Sequence, residues 1–120
     1  MTDRVEKRLV ISLSVKVYGM DSEGMTFNQP AHTLDITHDG ARIEGLPSVV
    51  LDSIVGVQYG GEKSRFRVVW IAEMGGRKEG QIGLQLISGS KGLWSNILDA
   101  TPEQLRFIES QSARAKTTGF

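Results

Sequence analysis

Residues 53–71 read SIVGVQYGGEKSRFRVVWI, and the prediction of the fold starts from this segment. Its two halves, 53–59 and 63–71, are rich in β-branched and aromatic residues, which is the composition of β-strands. Between them lie Gly60 and Gly61, a pair that is favoured in two-residue hairpin turns. The stretch therefore predicts a β-hairpin.

The second strand of this hairpin shows a two-residue alternation. Successive side chains of a strand point to opposite faces, so Phe66, Val68 and Trp70 are expected to share one face. Because Trp70 is in line with two apolar residues, we expect it to pack in the core. Arg67 falls on the other face, and at most one of Trp70 and Arg67 is then expected to face a ligand.

Further strands are expected on both sides of the hairpin. Residues 9–17 alternate between apolar and polar positions, the pattern of a half-buried strand. Asp39-Gly40 is expected to form a turn, because glycine reaches positive φ without steric cost. About six strands at a spacing of roughly ten residues predict a small barrel or sandwich. The other expected strands are 31–36, 41–44 and 81–87.

The C-terminal tail changes from strand to helix character. Thr101 is expected to cap a helix, with Pro102 at the first helical position and Gln104 completing a capping box. The helix is predicted over residues 102–113. It is expected to cover one opening or edge of the barrel together with an apolar segment, namely Leu93, Trp94, Ile97 and Leu98.

The composition excludes several classes of protein. The 120 residues include 14 Lys plus Arg and 14 Asp plus Glu, and this neutral balance argues against binding of a nucleic acid polymer. The absence of cysteine excludes disulfides and thiolate metal sites. No apolar run has the length of a membrane span, and residues 1–8 lack the apolar core of a signal peptide. We therefore expect a soluble, cytoplasmic protein with no membrane insertion.

Two short groups of residues carry chemistry suited to a nucleotide. Arg4 and Arg8 lie just before the first expected strand, and a guanidinium can hold a phosphate or the O6/N7 edge of guanine. Asp35, Thr37 and Gly40 follow at the end of the second strand, and a carboxylate can accept the N1 and N2 protons of guanine. The same residues are also typical of a solvated charge cluster and a simple turn.

In order and spacing, these groups resemble the signature of the PilZ family. That signature has an Arg-x-x-x-Arg pair before the first strand and a later Asp/Asn-x-Ser-x-x-Gly, with Thr37 here in place of serine. The resemblance extends over residues 4–87. It implies an all-β fold, a six-stranded antiparallel β-barrel with a C-terminal α-helix. It also implies a bacterial receptor that binds cyclic di-GMP and relays the signal to a separate effector protein.

The resemblance assigns roles to particular residues. Arg4 and Arg8 would contact phosphates and guanine edges, and Asp35, Thr37 and Gly40 would hold a guanine against the barrel. Arg42 and Trp70 are secondary candidates. The chain is expected to divide into a flexible arm at 1–8, a barrel at 9–92 and a helical segment at 93–120, with no output module of its own.

Four other functions are less well supported by the sequence. His32, His38, Asp35 and Asp39 are close in sequence, but His32 and Asp35 are expected on opposite faces of a strand, which disfavours a metal site. No Gly-x-Ser-x-Gly elbow or recognisable triad is present, so we expect neither an enzyme nor a cofactor. The closest rival is a PilZ-like module that binds no nucleotide and serves protein–protein interaction. A small RNA-binding barrel is disfavoured by the neutral charge and the few aromatic residues.

Overall fold

The computed structural model describes residues 8–87 and 92–117, which form a closed six-stranded antiparallel β-barrel followed by two helices. Around the barrel the strand order is β1-β2-β3-β6-β5-β4, and pairing of β1 with β4 closes it. This confirms the all-β, six-stranded prediction. The elements are β1 (Ser14–Met20), β2 (Thr26–Thr37), β3 (Gly40–Glu44), β4 (Ile54–Tyr59), β5 (Glu62–Ile71), β6 (Gln81–Leu86), α1 (Ser95–Leu98) and α2 (Pro102–Thr117).

The predicted hairpin is present almost as expected. β4 ends at Tyr59 and β5 begins at Glu62, so Gly60 and Gly61 form the turn. Gly60 has a φ of +60°, a backbone conformation that residues other than glycine rarely adopt. The local sequence is therefore sufficient to determine this part of the fold.

The chain before β1 is held to the barrel by a different arrangement from the predicted strand. β1 starts at Ser14, whereas residues 9–13 run beside β2 through a single bridge in which Leu9 and Ile36 exchange two backbone hydrogen bonds of 2.9 Å. Buried Thr33 secures the same segment: its Oγ1 donates to the Ile11 carbonyl at 2.6 Å and accepts from the Leu13 N–H at 2.9 Å.

A β-bulge in β2 changes which side chains face outward. Thr33 pairs with Ile43 and Asp35 pairs with Arg42, so Leu34 is an extra residue in β2. The insertion shifts the alternation by one position, and Asp35 therefore lies on the outer face, as His32 does. The expectation that His32 and Asp35 point to opposite faces was wrong because it assumed an uninterrupted strand.

A second bulge, in β5, has the same effect on Trp70. Val68 pairs with Leu84 and Trp70 pairs with Gly83, which leaves Val69 as the extra residue. Trp70 is 38% exposed and lies on the outer face, as Arg67 does. The prediction that Trp70 packs in the core was wrong, as was its assignment to the face opposite Arg67, because the bulge reverses the alternation after Val68.

The barrel interior is apolar and is closed at both ends. Val49, in the connection between β3 and β4, is buried at one end. At the other end Trp94 packs against Tyr59 and Phe66, with ring centroids 6.0 Å and 6.2 Å apart. The inward side chains come from all six strands: Val15, Val17, Ile36, Ile43, Val55, Val57, Phe66, Val68, Ile82 and Leu84.

The C-terminal segment covers one end of the barrel, as the sequence predicts. Leu93, Trp94, Ile97 and Leu98 are buried and belong to the core. The predicted capping box begins α2: the Gln104 N–H donates to Thr101 Oγ1 at 3.2 Å, and the Thr101 N–H donates to Gln104 Oε1 at 2.8 Å. The helix runs to Thr117, four residues beyond its expected end. Neither helix in the described part of the chain is long and apolar enough to cross a membrane.

Candidate ligand pocket on the outer face

Two rows of outward residues cross β2, β3, β6 and β5 beside one another. Cross-strand partners in a sheet share a face, so each row can be followed from strand to strand through the register. Both rows contain a glycine in the middle, which leaves a shallow floor between longer side chains. The first row is Asp35, Arg42, Gly83 and Trp70, and the second is Thr37, Gly40, Gln85 and Arg67.

Asp35 lies at one end of the first row, and Arg42 holds it in place. Its side chain is only 4% exposed, and its Oδ2 accepts from Arg42 Nε at 3.0 Å and Nη2 at 2.7 Å. Arg42 Nη1 donates in turn to Gln81 Oε1 at 3.2 Å. The hydrogen bond to Asp35 raises the pKa of Arg42 above its ordinary value. The buried carboxylate is thus oriented by Arg42 of β3, which Gln81 of β6 holds in turn.

Arg8 reaches the same carboxylate from the chain before β1. The bridge between Leu9 and Ile36 aligns this segment with the end of β2, and Arg8 Nε lies 3.9 Å from Asp35 Oδ2. In contrast to Arg42, the Arg8 side chain is 64% exposed. Because Arg42 already neutralises Asp35, much of the hydrogen-bonding capacity of Arg8 remains available to a ligand.

Close packing requires a glycine at position 40 and leaves little room for a side chain at Gly83. A Cβ atom at Gly40 would collide with the backbone carbonyl of Leu84, whereas the turn itself consists of His38 and Asp39. Gly40 begins β3 without positive φ, so the expected reason for this glycine was wrong. At Gly83 a Cβ would lie 3.3 Å from the Cβ of Trp70, which leans over that position.

A shallow pocket of about 360 Å³ lies over these rows. Its volume falls in the range of about 300–1,000 Å³ that is typical of small-molecule sites. The lining combines two arginines, two aspartates, a threonine hydroxyl and exposed sheet backbone, which suits a ligand with both anionic and hydrogen-bonding groups. The residues at the pocket include Arg8, Asp35, Thr37, Asp39, Gly40, Arg42, Val69, Gly83 and Gln85.

Most of the site residues expected from the sequence meet at this pocket. Arg8, Asp35, Thr37 and Gly40 line it, and so does the secondary candidate Arg42. Trp70 lies beside the pocket on the same face, and its neighbour Val69 forms part of the lining. Arg4 lies outside the described residues.

The contribution of β6 to the pocket was not predicted from the sequence. Gln81 orients Arg42, while Gly83 and Gln85 form part of the pocket floor. The signal was present, because these three residues alternate with the buried Ile82 and Leu84 and must face outward. What the sequence did not reveal is that β6 lies next to β3.

The histidines and acidic residues do not form a metal site in the part of the chain that the structure describes. No group of three or more His, Cys, Asp or Glu side chains there could hold an ion. His32 instead pairs with Glu44 across β2 and β3, with Nε2 3.3 Å from Oε1.

Comparison with known proteins gives no assignment. No protein-family model matches the chain, and no curated protein matches it in sequence.

Proposed function

We propose that this protein is a PilZ-type receptor that binds cyclic di-GMP at the outer-face pocket and relays the signal to a separate effector protein. One observation supports the proposal above the others. Arg8 comes from the first motif of the sequence, and Asp35, Thr37 and Gly40 come from the second, yet all four line a single pocket. Two motifs noted on residue type and spacing alone meet where one ligand could contact both.

The second motif suits recognition of a guanine base. The two hydrogen bonds that Arg42 donates to Asp35 both reach Oδ2, and no side chain in the described part of the chain donates to Oδ1. In this proposal Oδ1 accepts a hydrogen bond from the N1–H or the N2–H of guanine, and the Thr37 hydroxyl adds a donor or acceptor. Gly40 lets the base approach the sheet backbone closely.

The first motif suits the phosphates. Arg8 is exposed and flanks the pocket, so its planar donor fork can turn from Asp35 toward a phosphodiester. Arg4 is proposed to join it from four residues upstream. Ligand bound beside Arg8 would change the surface that a partner protein meets, which is how binding would be transmitted without catalysis. The proposed setting is the bacterial cytoplasm, where the ligand acts as a second messenger.

A second candidate function has one observation in its favour. The Asp35 carboxylate already has a satisfied internal ion pair with Arg42, as expected for a purely structural pair. In that case the barrel would serve protein–protein contacts and bind no nucleotide.

The two functions are distinguished by an NMR titration of the full chain, labelled with ¹⁵N, with cyclic di-GMP and separately with GTP. A receptor is expected to show saturable shifts of the backbone amides of Arg8, residues 35–42 and residues 83–85, with cyclic di-GMP only. Equal shifts with GTP would indicate a general nucleotide site. No shift with either ligand would favour the interaction module.

A further inference from the structure

The outer face of β1, β4 and β5 carries a cluster of positive side chains. Gln58 of β4 is the cross-strand partner of Lys16 on one side and of Lys63 on the other. Further along β5, Arg65 pairs with Gly56 and Arg67 pairs with Ile54. All four basic residues are exposed. We call Lys16, Lys63, Arg65 and Arg67 the basic face.

The charge of the basic face is uncompensated. Within residues 8–87 and 92–117, none of its four side chains has a carboxylate within ion-pair distance, although the whole chain is neutral. Among the described residues, the Arg67 side chain makes one hydrogen bond, a long one of 3.4 Å from Nη1 to the Asp52 backbone carbonyl. Clustering of like charge is electrostatically costly, and a surface of this kind is complementary to an acidic one.

An apolar groove adjoins the basic face at the end of the same strands. It has a volume of about 640 Å³ and includes Tyr18, Met20 and Ile54 in its lining. Met20 is 53% exposed and Ile54 is 40% exposed, and Ile54 is the cross-strand partner of Arg67. Tyrosine, methionine and arginine are enriched at protein–protein interfaces, typically with apolar residues inside a polar rim.

The local geometry favours a protein ligand over a nucleic acid. The Tyr18 ring rests on the backbone of Gly56, where a Cβ would collide with it, and Lys63 Nζ lies over the ring, 5.8 Å from its centroid. The tyrosine therefore does not offer a free face on which a base could stack, which is the usual platform for single-stranded nucleic acid. Because the barrel is closed, a partner cannot add a strand here and must contact side chains.

We infer that the basic face and its groove dock an acidic, amphipathic segment of a partner protein. Alternate residues of β5 lie about 6.6 Å apart, and so do alternate residues of an extended peptide. Carboxylates at every second position can therefore face Lys63, Arg65 and Arg67, with an aliphatic side chain following into the groove. This inference does not depend on cyclic di-GMP binding: no residue of the basic face lines the pocket, although Arg67 adjoins it as the cross-strand partner of Gln85.

The test uses a peptide of defined chemistry and the full chain. An extended decapeptide with glutamates at alternate positions and two leucines at its end is titrated by NMR, beside the same peptide with glutamines. Arg65→Glu/Arg67→Glu is compared with the matched variant Arg77→Glu/Arg106→Glu, in which two exposed arginines that do not belong to the face are reversed. Urea unfolding checks that both variants are folded. Arg8→Ala is included to separate this surface from the pocket.

The glutamate peptide is expected to shift the amides around Tyr18, Ile54 and residues 63–67. The affinity for this peptide should fall by about tenfold or more in the Arg65→Glu/Arg67→Glu variant. In the control variant and in Arg8→Ala it should change by less than about twofold. Equal weakening by the control, equal binding of the glutamine peptide or no binding would overturn the inference. Tighter binding of oligothymidylate or phosphatidylserine vesicles to the same residues would also overturn it, in favour of a nucleic acid or a membrane.

Discussion

Arg42 and Asp35 are cross-strand partners on β3 and β2, and Arg42 Nη2 lies 2.7 Å from Asp35 Oδ2 on the outer face of the barrel. The bulge at Leu34 makes this contact possible, because without the extra residue Asp35 would point to the same inner face as Thr33. The pair links two strands of the sheet and also positions the Asp35 carboxylate in the proposed binding pocket.

Arg42→Ala is expected to lower the free energy of unfolding by about 1–3 kcal/mol. The change leaves a nearly buried carboxylate without its two charged donors, and the partial exposure of Arg42 keeps the cost below that of a fully buried pair. Urea unfolding measures the effect. Asp35→Asn/Arg42→Ala should recover part of the loss, since the double variant no longer contains an unpaired charge. Strictly additive losses would show that the pair is not coupled.

Thr33→Val is expected to destabilise the fold by about 1–3 kcal/mol, although the two side chains are similar in shape. The valine cannot replace the hydroxyl that donates to Ile11 and accepts from Leu13, so two backbone groups lose their partner. Thr26→Val at the exposed start of β2 is the matched control and should change stability by less than about 0.5 kcal/mol. A similar small effect at both positions would contradict the role of Thr33 in pinning the chain before β1.

Gly40→Ala is expected to destabilise the barrel by about 1–3 kcal/mol with or without ligand, because the new methyl group meets the Leu84 carbonyl. Gly61→Ala is the control: a Cβ there has no neighbour within 4 Å, and the residue does not have positive φ. Thermal unfolding compares the two variants. If Gly40→Ala were as stable as Gly61→Ala, the close packing of β3 on β6 would not be what requires this glycine.

The stability of the fold is expected to fall at high pH through Tyr59. Burial raises the pKa of the Tyr59 phenol, so above its ordinary value of about 10 the unfolded chain loses this proton first. The stabilisation of the fold that comes from the protonated Tyr59 phenol is therefore fully present below about pH 10 and is lost as the pH rises through the folded-state pKa. Urea unfolding at pH 8 and pH 11 should show a smaller alkaline loss for Tyr59→Phe than for the wild type. Equal losses of stability between pH 8 and pH 11 in the two proteins would contradict a role of Tyr59 in the alkaline destabilisation.

The features that sequence alone predicted are those with local causes. The hairpin follows from Gly60 and Gly61 between two β-prone runs, and the helix start follows from Thr101, Pro102 and Gln104. In each case the residues that determine the structure are neighbours in the sequence. The strand count and the approximate positions of the strands could be predicted for the same reason.

The features that sequence alone missed depend on contacts between distant strands. Leu34 and Val69 are ordinary strand residues, and nothing in their identity marks them as bulges, yet each reverses the faces of the residues that follow. This is why Trp70 was expected inside and Asp35 was expected opposite His32. The pairing of β3 with β6, which brings Gln81 to Arg42, likewise depends on the topology of the closed barrel.

A calorimetric titration of the full chain with cyclic di-GMP, alongside Arg8→Ala and the exposed control Arg77→Ala, tests the proposed receptor function. We expect saturable binding that GTP does not reproduce. Arg8→Ala should weaken this binding by at least about tenfold, because a charged hydrogen-bond donor is lost, and Arg77→Ala should leave it unchanged. No binding by the folded wild type, or equal affinity of wild type and Arg8→Ala, would contradict a receptor built on this pocket.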